Sequence, residues 1–347
     1  MIELREVLER LLCGRDLRET EAADLMRALT DAALSPAMAG ALLAALRAKG
    51  VTADEVRGFA SAMRGLARRP VLPRGAPALD IVGTGGDASG SFNLSTGAAL
   101  LVAAAGVPVV KHGNRSVSSR CGSADLLECL GLALPLDEVA AGACLAATGF
   151  TFLFAPHYHP AMKTVAPVRR VLAVRTVFNL LGPLTNPAAP PYGLIGAYST
   201  EAARLMADTL AGMPIERVFV IHGEPGWDEA TPVGPFELFD VRPGHVARSV
   251  RDPRDLGLAR CGAGDLAGGD AAHNAASLRA VFDGRDRGPH RDALLLNAAL
   301  ALEVSGAAAS TAAGLHAAGE AIDRGDAARL LGKLAAFGSG AAPPAAR

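Results

Sequence analysis

The chain has 347 residues, half of them apolar, with 34 basic against 35 acidic residues and a formal net charge of −1. That balance creates no field to recruit nucleic acid or anionic lipid, and the longest apolar runs, 98–105 and 139–147, fall far short of the roughly 20 residues that cross a bilayer. Five cysteines, odd in number and without a CxxC pair, argue against a disulfide framework or a zinc site and for a reducing, cytoplasmic compartment.

Residues 1–70 carry only helix signals. Met1-Ile2-Glu3-Leu4-Arg5-Glu6 begins an amphipathic helix with acids in its first turns and does not read as a signal peptide. Ser35-Pro36 is an N-cap followed by proline at the first helical position, and Gly50 ends that helix. Thr52-Ala53-Asp54-Glu55 is a capping box, in which hydroxyl and carboxylate each satisfy an orphan N–H. Leu8, Leu11 and Leu12, then Leu42, Leu43 and Leu46, repeat at helical spacing. Arg69-Pro70, Pro73 and Pro77 break the pattern as a linker. From about residue 74 to 347, strands alternate with helices. The predicted strands are Leu79–Val82, Val107–Val110, Thr151–Phe154, Leu194–Ala197, Arg217–His222 and Glu237–Val241. The expectation is an α/β protein: a large domain with a mostly parallel central sheet, plus a small all-helical domain. The Ala-, Pro- and Gly-rich tail after Phe337 is expected to fray.

Two polar, glycine-punctuated segments follow predicted strands. The first, Asp80-Ile81-Val82-Gly83-Thr84-Gly85-Gly86-Asp87, continues through Asn93-Leu94-Ser95-Thr96 into an alanine-rich helix over 97–105. Unpaired N–H groups and a partial positive charge favour an anion at such a helix start. The second runs from Lys111 to Asp125. Lys111, Arg115 and Arg120 supply positive charge, Ser116, Ser118, Ser119 and Ser123 supply hydroxyls, and Gly113 and Gly122 permit close backbone approach. This equipment suits a phosphate-bearing ligand at the ends of buried strands. Cys121 has no base beside it and reads as a small turn residue. Asp228-Glu229 follow a predicted strand through Gly223-Glu224-Pro225-Gly226; taken alone, such a pair reads as solvated surface.

The order and spacing of these motifs resemble the anthranilate phosphoribosyltransferases. The resemblance rests on Gly83-Thr84-Gly85-Gly86-Asp87, Asn93-Leu94-Ser95-Thr96, Lys111-His112-Gly113-Asn114-Arg115 and Gly122-Ser123-Ala124-Asp125. It extends through Phe154-Ala155-Pro156, His159-Pro160-Ala161-Met162-Lys163, Val168-Arg169-Arg170, the run from Arg175 to Pro187, Asp228-Glu229, and Gly268-Gly269-Asp270-Ala271-Ala272-His273-Asn274-Ala275, covering the chain to about Gly306. It implies the nucleoside phosphorylase-like phosphoribosyltransferase fold, a helical domain completed by a segment around 162–187, and a homodimer formed through that domain. It also implies the anthranilate-to-phosphoribosyl-anthranilate step of tryptophan biosynthesis, in which the amine attacks C1 of phosphoribosyl pyrophosphate and pyrophosphate leaves. Mg²⁺ is the implied cofactor, since a diphosphate departs more easily when its charge is neutralised. No covalent nucleophile and no obligatory base is required, so positioning and electrostatics supply the acceleration.

Carried over residue by residue, the phosphoribosyl pyrophosphate site comprises Gly83, Thr84, Gly86, Asp87, Asn93, Ser95, Thr96, Lys111, Ser119 and Ser123. The anthranilate site comprises Gly83, His112, Asn114, His159 and Arg169, with Pro156, Tyr158 and Gly182 nearby, and the metal site comprises Ser95, Asp228 and Glu229. Asp87 either faces a metal or ribose hydroxyl or fixes its loop through backbone N–H bonds. Arg170 is the rival of Arg169 for the carboxylate, Glu224 is a weaker metal candidate, and Ser123 also reads as the cap of the next helix. An arylamine is already neutral at pH 7, so His112 and His159 read as binding groups before bases. Ala88 and Ala173 stand where many members have glycine. Two alternatives share the fold. Pyrimidine nucleoside phosphorylases carry glycine where this chain has Asn114 and lack the Asn93-to-Thr96 and Asp228-Glu229 patterns. A non-catalytic nucleic-acid-binding relative needs a basic surface that a net charge of −1 does not supply.

Overall fold

The computed structural model describes residues 3–73, 75, 78–87, 89–115 and 120–340. Four helices come first: α1 (Leu4–Leu12), α2 (Glu19–Leu29), α3 (Pro36–Lys49) and α4 (Ala53–Leu66). Ser35 Oγ accepts from Met38 N at 3.3 Å and Gly50, at φ +84°, closes α3. The expected capping box opens α4, with Glu55 N donating to Thr52 Oγ1 at 3.3 Å and Thr52 N to Glu55 Oε2 at 2.9 Å. Glu55 is fully buried because it also accepts from Leu17 N and Lys49 Nζ, both at 2.9 Å, so one carboxylate ties three segments. α2 and α4 pack closely, and a Cβ on Gly58 would overlap the Glu19 carbonyl.

The α/β part begins with β1 (Leu79–Gly83), α5 (Leu94–Ala104), β2 (Val109–Gly113), α6 (Ser123–Cys129), α7 (Glu138–Thr148) and β3 (Phe150–Phe154). The chain then passes through α8 (Ala155–Tyr158), α9 (Met162–Leu172), α10 (Phe178–Leu181) and a 3-10 turn at Gly182–Leu184. β4 (Tyr192–Gly196), α11 (Thr200–Ala211), β5 (Arg217–Gly223), β6 (Phe236–Arg242) and β7 (His245–Arg251) follow. Helices α12 (Ala271–Phe282), α13 (Pro289–Val304), α14 (Thr311–Asp323) and α15 (Asp326–Gly338) close the described chain. The frayed tail expected after Phe337 falls largely on 341–347, outside the described residues, and α15 itself reaches Gly338.

The seven strands form one sheet in the order β3-β2-β1-β4-β5-β6-β7, parallel from β3 to β5, with β6 and β7 added as an antiparallel hairpin. Successive strand residues point to opposite faces. Leu194, Phe219 and Ile221 join a core with α5 and α12 to α15, whereas Ile195, Val218 and Val220 join a core with α2, α3, α4 and α11. Val165, Val177, Phe178 and Leu181 of the 162–184 segment lie in that second core beside Leu42, Leu46 and Phe59.

Two expectations are corrected and one strand is added. The second strand runs Val109–Gly113, not Val107–Val110: Lys111 and His112 are polar but stand between β1 and β3, paired in register with Phe152 and Leu153. Their polarity suggests a loop only because the buried partners of these two residues lie far away in sequence. β7 escapes the sequence pattern because its residues are mostly exposed and carry no apolar alternation. The helix expected over 97–105 starts at Leu94, which brings Ser95 and Thr96 into its first turn.

Candidate functional site

The direction of chain progression reverses between β1 and β4, which are neighbours in the sheet, and that crevice at the C-terminal strand ends is where open α/β sheets bind ligands. Gly83 and Gly196 end these two strands in register. Each is glycine for a visible reason. A Cβ on Gly83 would overlap the Asp228 carboxylate, and one on Gly196 would overlap the Asp228 carbonyl. Asp228 therefore sits directly on the crevice. Its Oδ2 accepts from Gly85 N at 2.6 Å, and its own N–H donates to Asp87 Oδ2 at 3.3 Å. Asp87 Oδ1 accepts from Ser89 N at 3.2 Å, so Asp87 fixes its loop through backbone N–H groups.

Glu229 is buried beside Asp228 and turns toward α5. Its Oε1 accepts from Ser95 N at 3.1 Å, which occupies an otherwise orphan helix-start donor, and its Oε2 accepts from Ser91 Oγ at 3.0 Å. Burial first, and then the neighbouring carboxylates, push both Asp228 and Glu229 well above the usual carboxylate range. The adjacent cation is Lys111. It is fully buried, its Nζ donating to the Ile81 carbonyl and lying 3.4 Å from Ser95 Oγ, and burial lowers it to about 8. Thr96 Oγ1 donates to Ser123 Oγ at 3.0 Å, joining the two helix starts that follow the polar segments. Ser123 does not cap α6, correcting that reading; Gly122 holds the N-cap position and its N–H donates to Asp125 Oδ2 at 2.9 Å.

Below β2 lies a second buried group. Asp80 accepts from His112 N at 3.2 Å and from Asn186 Nδ2 at 2.8 Å, and burial raises its carboxyl to about 6. His112 faces the Gly182 carbonyl with Nδ1 at 3.1 Å, so Nδ1 carries the proton and Nε2 presents a lone pair. Its ring meets His159 edge-on at 5.1 Å. Burial lowers His112 to about 3 and His159 to about 4, and neither Nε2 has a partner among the described residues. Gly182 continues directly from α10, where the Arg169 guanidinium stacks over Phe178 at 4.9 Å. Arg169 is partly buried and burial lowers its pKa, while Arg170 is exposed. The helix geometry thus separates the two arginines, which the sequence left open. Asn114 is exposed one residue beyond β2.

A family model described as "Glycosyl transferase family, helical bundle domain" matches residues 5–67, and one described as "Glycosyl transferase family, a/b domain" matches 75–328. A curated anthranilate phosphoribosyltransferase from Desulforudis audaxviator is 48% identical over 334 residues, 96% of each chain. The chain belongs to the anthranilate phosphoribosyltransferase family. The solved enzyme of that name from Thermus thermophilus superposes with a TM-score of 0.90 at 43% identity, over 96% of this chain and 99% of the other. The Saccharomyces cerevisiae enzyme, 27% identical over 97% of this chain and 98% of its own, was solved with PRPP and Mg (TM-score 0.88) and with 4-fluoroanthranilate (TM-score 0.86).

Against that family, the structure brings Gly83, Asp87, Ser95, Thr96, Lys111, Ser123, Asp228 and Glu229 into one contact network. Thr84 accepts from Tyr198 N at 3.1 Å through its hydroxyl, at the loop's outer wall. Ser119 and Ala88 lie outside the described residues. Tyr158 is fully buried with its hydroxyl on the Leu136 and Asp137 carbonyls, so it supports α8 rather than lining a substrate site. Glu224 is exposed. Burial pushes the Cys121 thiol up to about 11, which suits a packing role and not a nucleophile. Sequence reasoning missed Asp80, Asn186 and Ser91 as parts of the network, because their partners are 32 to 138 residues away.

Proposed function

We propose that the protein transfers the 5-phosphoribosyl group of phosphoribosyl pyrophosphate to the amine of anthranilate, with release of pyrophosphate, in tryptophan biosynthesis. The observation that carries this reading is the buried charge arrangement at the β1–β4 crevice: Lys111 and the α5 start on one side, Asp228 and Glu229 on the other. A fully buried cation beside two carboxylates that burial drives toward protonation fits a site completed by a diphosphate and a divalent cation.

The donor set fits Mg²⁺. It is all oxygen, with Asp228, Glu229 and the Ser95 hydroxyl, and no group of three or more His, Cys, Asp or Glu gathers as a preformed cage among the described residues. Mg²⁺ takes one or two carboxylates and keeps the rest of its shell for water and phosphate. When bound, it neutralises charge on the departing diphosphate. Lys111 supplies a fixed positive charge for the same oxygens, and Gly83, Thr84, Gly86, Asn93, Ser95, Thr96, Ser119 and Ser123 supply close backbone approach and hydroxyl or amide donors. Asp87 holds the loop. Arg169 receives the anthranilate carboxylate with its planar fork. Asn114, Gly83, His112 and His159 frame the ring and amine, aiming nitrogen at C1. The N–C1 bond forms as the C1–O bond breaks, its electron pair leaving with pyrophosphate, and one amine proton passes to solvent water after attack. His112 is neutral at pH 7 and so orients rather than protonates.

The core shared by α2 to α4 and the 162–184 segment supports a helical domain of 1–70 completed by 162–187, with 74–347 as the catalytic domain. We assign that helical domain the homodimer contact, which light scattering tests, and the cytoplasm as the site of action. No helix among the described residues is long and apolar enough to cross a membrane.

The test is loss of anthranilate fluorescence on adding phosphoribosyl pyrophosphate and Mg²⁺. Loss that requires all four components, the protein included, supports the proposal; unchanged fluorescence at micromolar enzyme ends it.

A further inference from the structure

The Gly268-to-Ala275 motif has no part in the chemistry described so far, although the structure lays it against the first glycine loop. Gly268 N donates to the Gly90 carbonyl at 2.8 Å, Phe92 N to the Leu266 carbonyl at 2.9 Å, and Ser91 pairs with Ala267 as an isolated antiparallel bridge. A Cβ on Gly268 would stand 2.6 Å from the Ser91 carbonyl, so only glycine lets the two backbones approach this closely. The strap ends at α12, where Asn274 is 1% exposed.

Asn274 connects the strap to the site by a directed line of hydrogen bonds. Gly269 N donates to Asn274 Oδ1 at 2.7 Å, Asn274 Nδ2 donates to Asn93 Oδ1 at 2.7 Å, and Asn93 Nδ2 donates to the Cys121 carbonyl at 3.1 Å. Both ends of the line are backbone groups of fixed polarity, a donor at Gly269 and an acceptor at Cys121. Neither amide can flip without setting oxygen against oxygen or N–H against N–H. The orientation of Asn93 is therefore dictated from a segment about 180 residues away in sequence.

We infer that Asn274 is a positioning residue: it holds the Asn93 amide, and with it the loop entering α5, in the orientation that receives the phosphoribosyl donor. It touches no substrate itself. The inference rests on the reading that the Asn93 loop binds phosphoribosyl pyrophosphate. Asn274→Asp keeps the shape and the bond from Gly269 N but places a carboxylate oxygen against Asn93 Oδ1, with no orientation of Asn93 that satisfies both neighbours.

The test measures wild type and Asn274→Asp by steady-state kinetics and by calorimetric titration with phosphoribosyl pyrophosphate in Mg²⁺ buffer. The inference predicts that KM and Kd for the donor rise at least tenfold while KM for anthranilate stays within twofold. A fall in kcat alone, or equal shifts for both substrates, overturns it, because loss of folded enzyme lowers kcat without such a split. Wild type that binds no donor refutes the underlying function; wild type that binds beside a variant of equal affinity refutes only the role of Asn274. Should Asn274→Asp not accumulate as folded protein, Gly268→Ala displaces the strap from Ser91 and is read by the same split, with the same two outcomes.

Discussion

Replacing Arg169 with alanine tests the anthranilate half of the site. Among the described residues this guanidinium has no carboxylate partner; it stacks over Phe178 at 4.9 Å, and burial alone lowers its pKa. A partly desolvated cation without a counter-ion is what an incoming carboxylate requires. A hydrogen bond to a charged group contributes about 1.5–3 kcal/mol, and each 1.4 kcal/mol is about tenfold in affinity. KM for anthranilate should therefore rise roughly 10- to 150-fold, with KM for phosphoribosyl pyrophosphate changed less than about twofold. Arg169→Lys keeps the charge but loses the fork and should fall between these limits. Arg170→Ala removes an exposed charge and should do almost nothing. Stability should barely move, since the variant loses a cation–π contact of about 0.5–1 kcal/mol but also a desolvated charge. Steady-state fluorescence kinetics with a parallel melting curve decide the matter. Equal rises in both KM values, or a larger effect from Arg170→Ala, would refute the assignment.

Four further outcomes follow from the same geometry. Asp228→Asn combined with Glu229→Gln should raise the Mg²⁺ concentration for half-maximal activity at least tenfold and lower kcat by roughly a hundredfold; an unchanged magnesium titration rejects their role. Lys111→Met should weaken phosphoribosyl pyrophosphate binding by about tenfold or more in calorimetry, and unaltered affinity removes Lys111 from the site. Burial lowers His112 from 6.5 to about 3, so the unfolded chain binds the proton more readily, and the contribution of His112 to stability is complete above about pH 6.5 and is lost as pH falls toward 3. Thermal melts of His112→Asn should accordingly show a shallower acid-side decline than wild type, and a kcat limb near pH 6.5 that disappears in this variant would contradict a neutral histidine. Ala173 follows α9 at φ +50°, a left-handed conformation that costs a non-glycine residue about 1 kcal/mol; Ala173→Gly should raise Tm by about 1–2 °C, and a lower Tm would show that the alanine is not strained.

Much of this is legible without the structure. Ser35, Thr52 and Glu55 announce their helix starts because capping is local chemistry, and Gly83 announces a close approach, although its partner Asp228 cannot be read from spacing. Lys111 and His112 show where such reading stops. Their polarity suggests a loop, but β1 and β3 flank them and make them strand residues, with partners at Ile81, Asp80 and Gly182. Asp228-Glu229 reads as ordinary surface until β4 and β5 fold beside β1 and return Asp228 to Gly85, 143 residues earlier in the chain. Arg169 and Arg170 are adjacent in sequence, and only the packing of α9 on Phe178 separates a partly buried fork from an exposed one. Asn274 is visible as part of a motif, yet its polarity-defined link to Asn93 exists only in three dimensions.

The most direct measurement is a crystal structure of the protein with phosphoribosyl pyrophosphate and Mg²⁺ bound. The diphosphate should lie within hydrogen-bonding distance of Lys111 and the Ser95–Thr96 helix start, with a metal between it and Asp228 or Glu229. A diphosphate bound elsewhere, with Lys111 still held by Ile81 and both carboxylates free of metal, would contradict it.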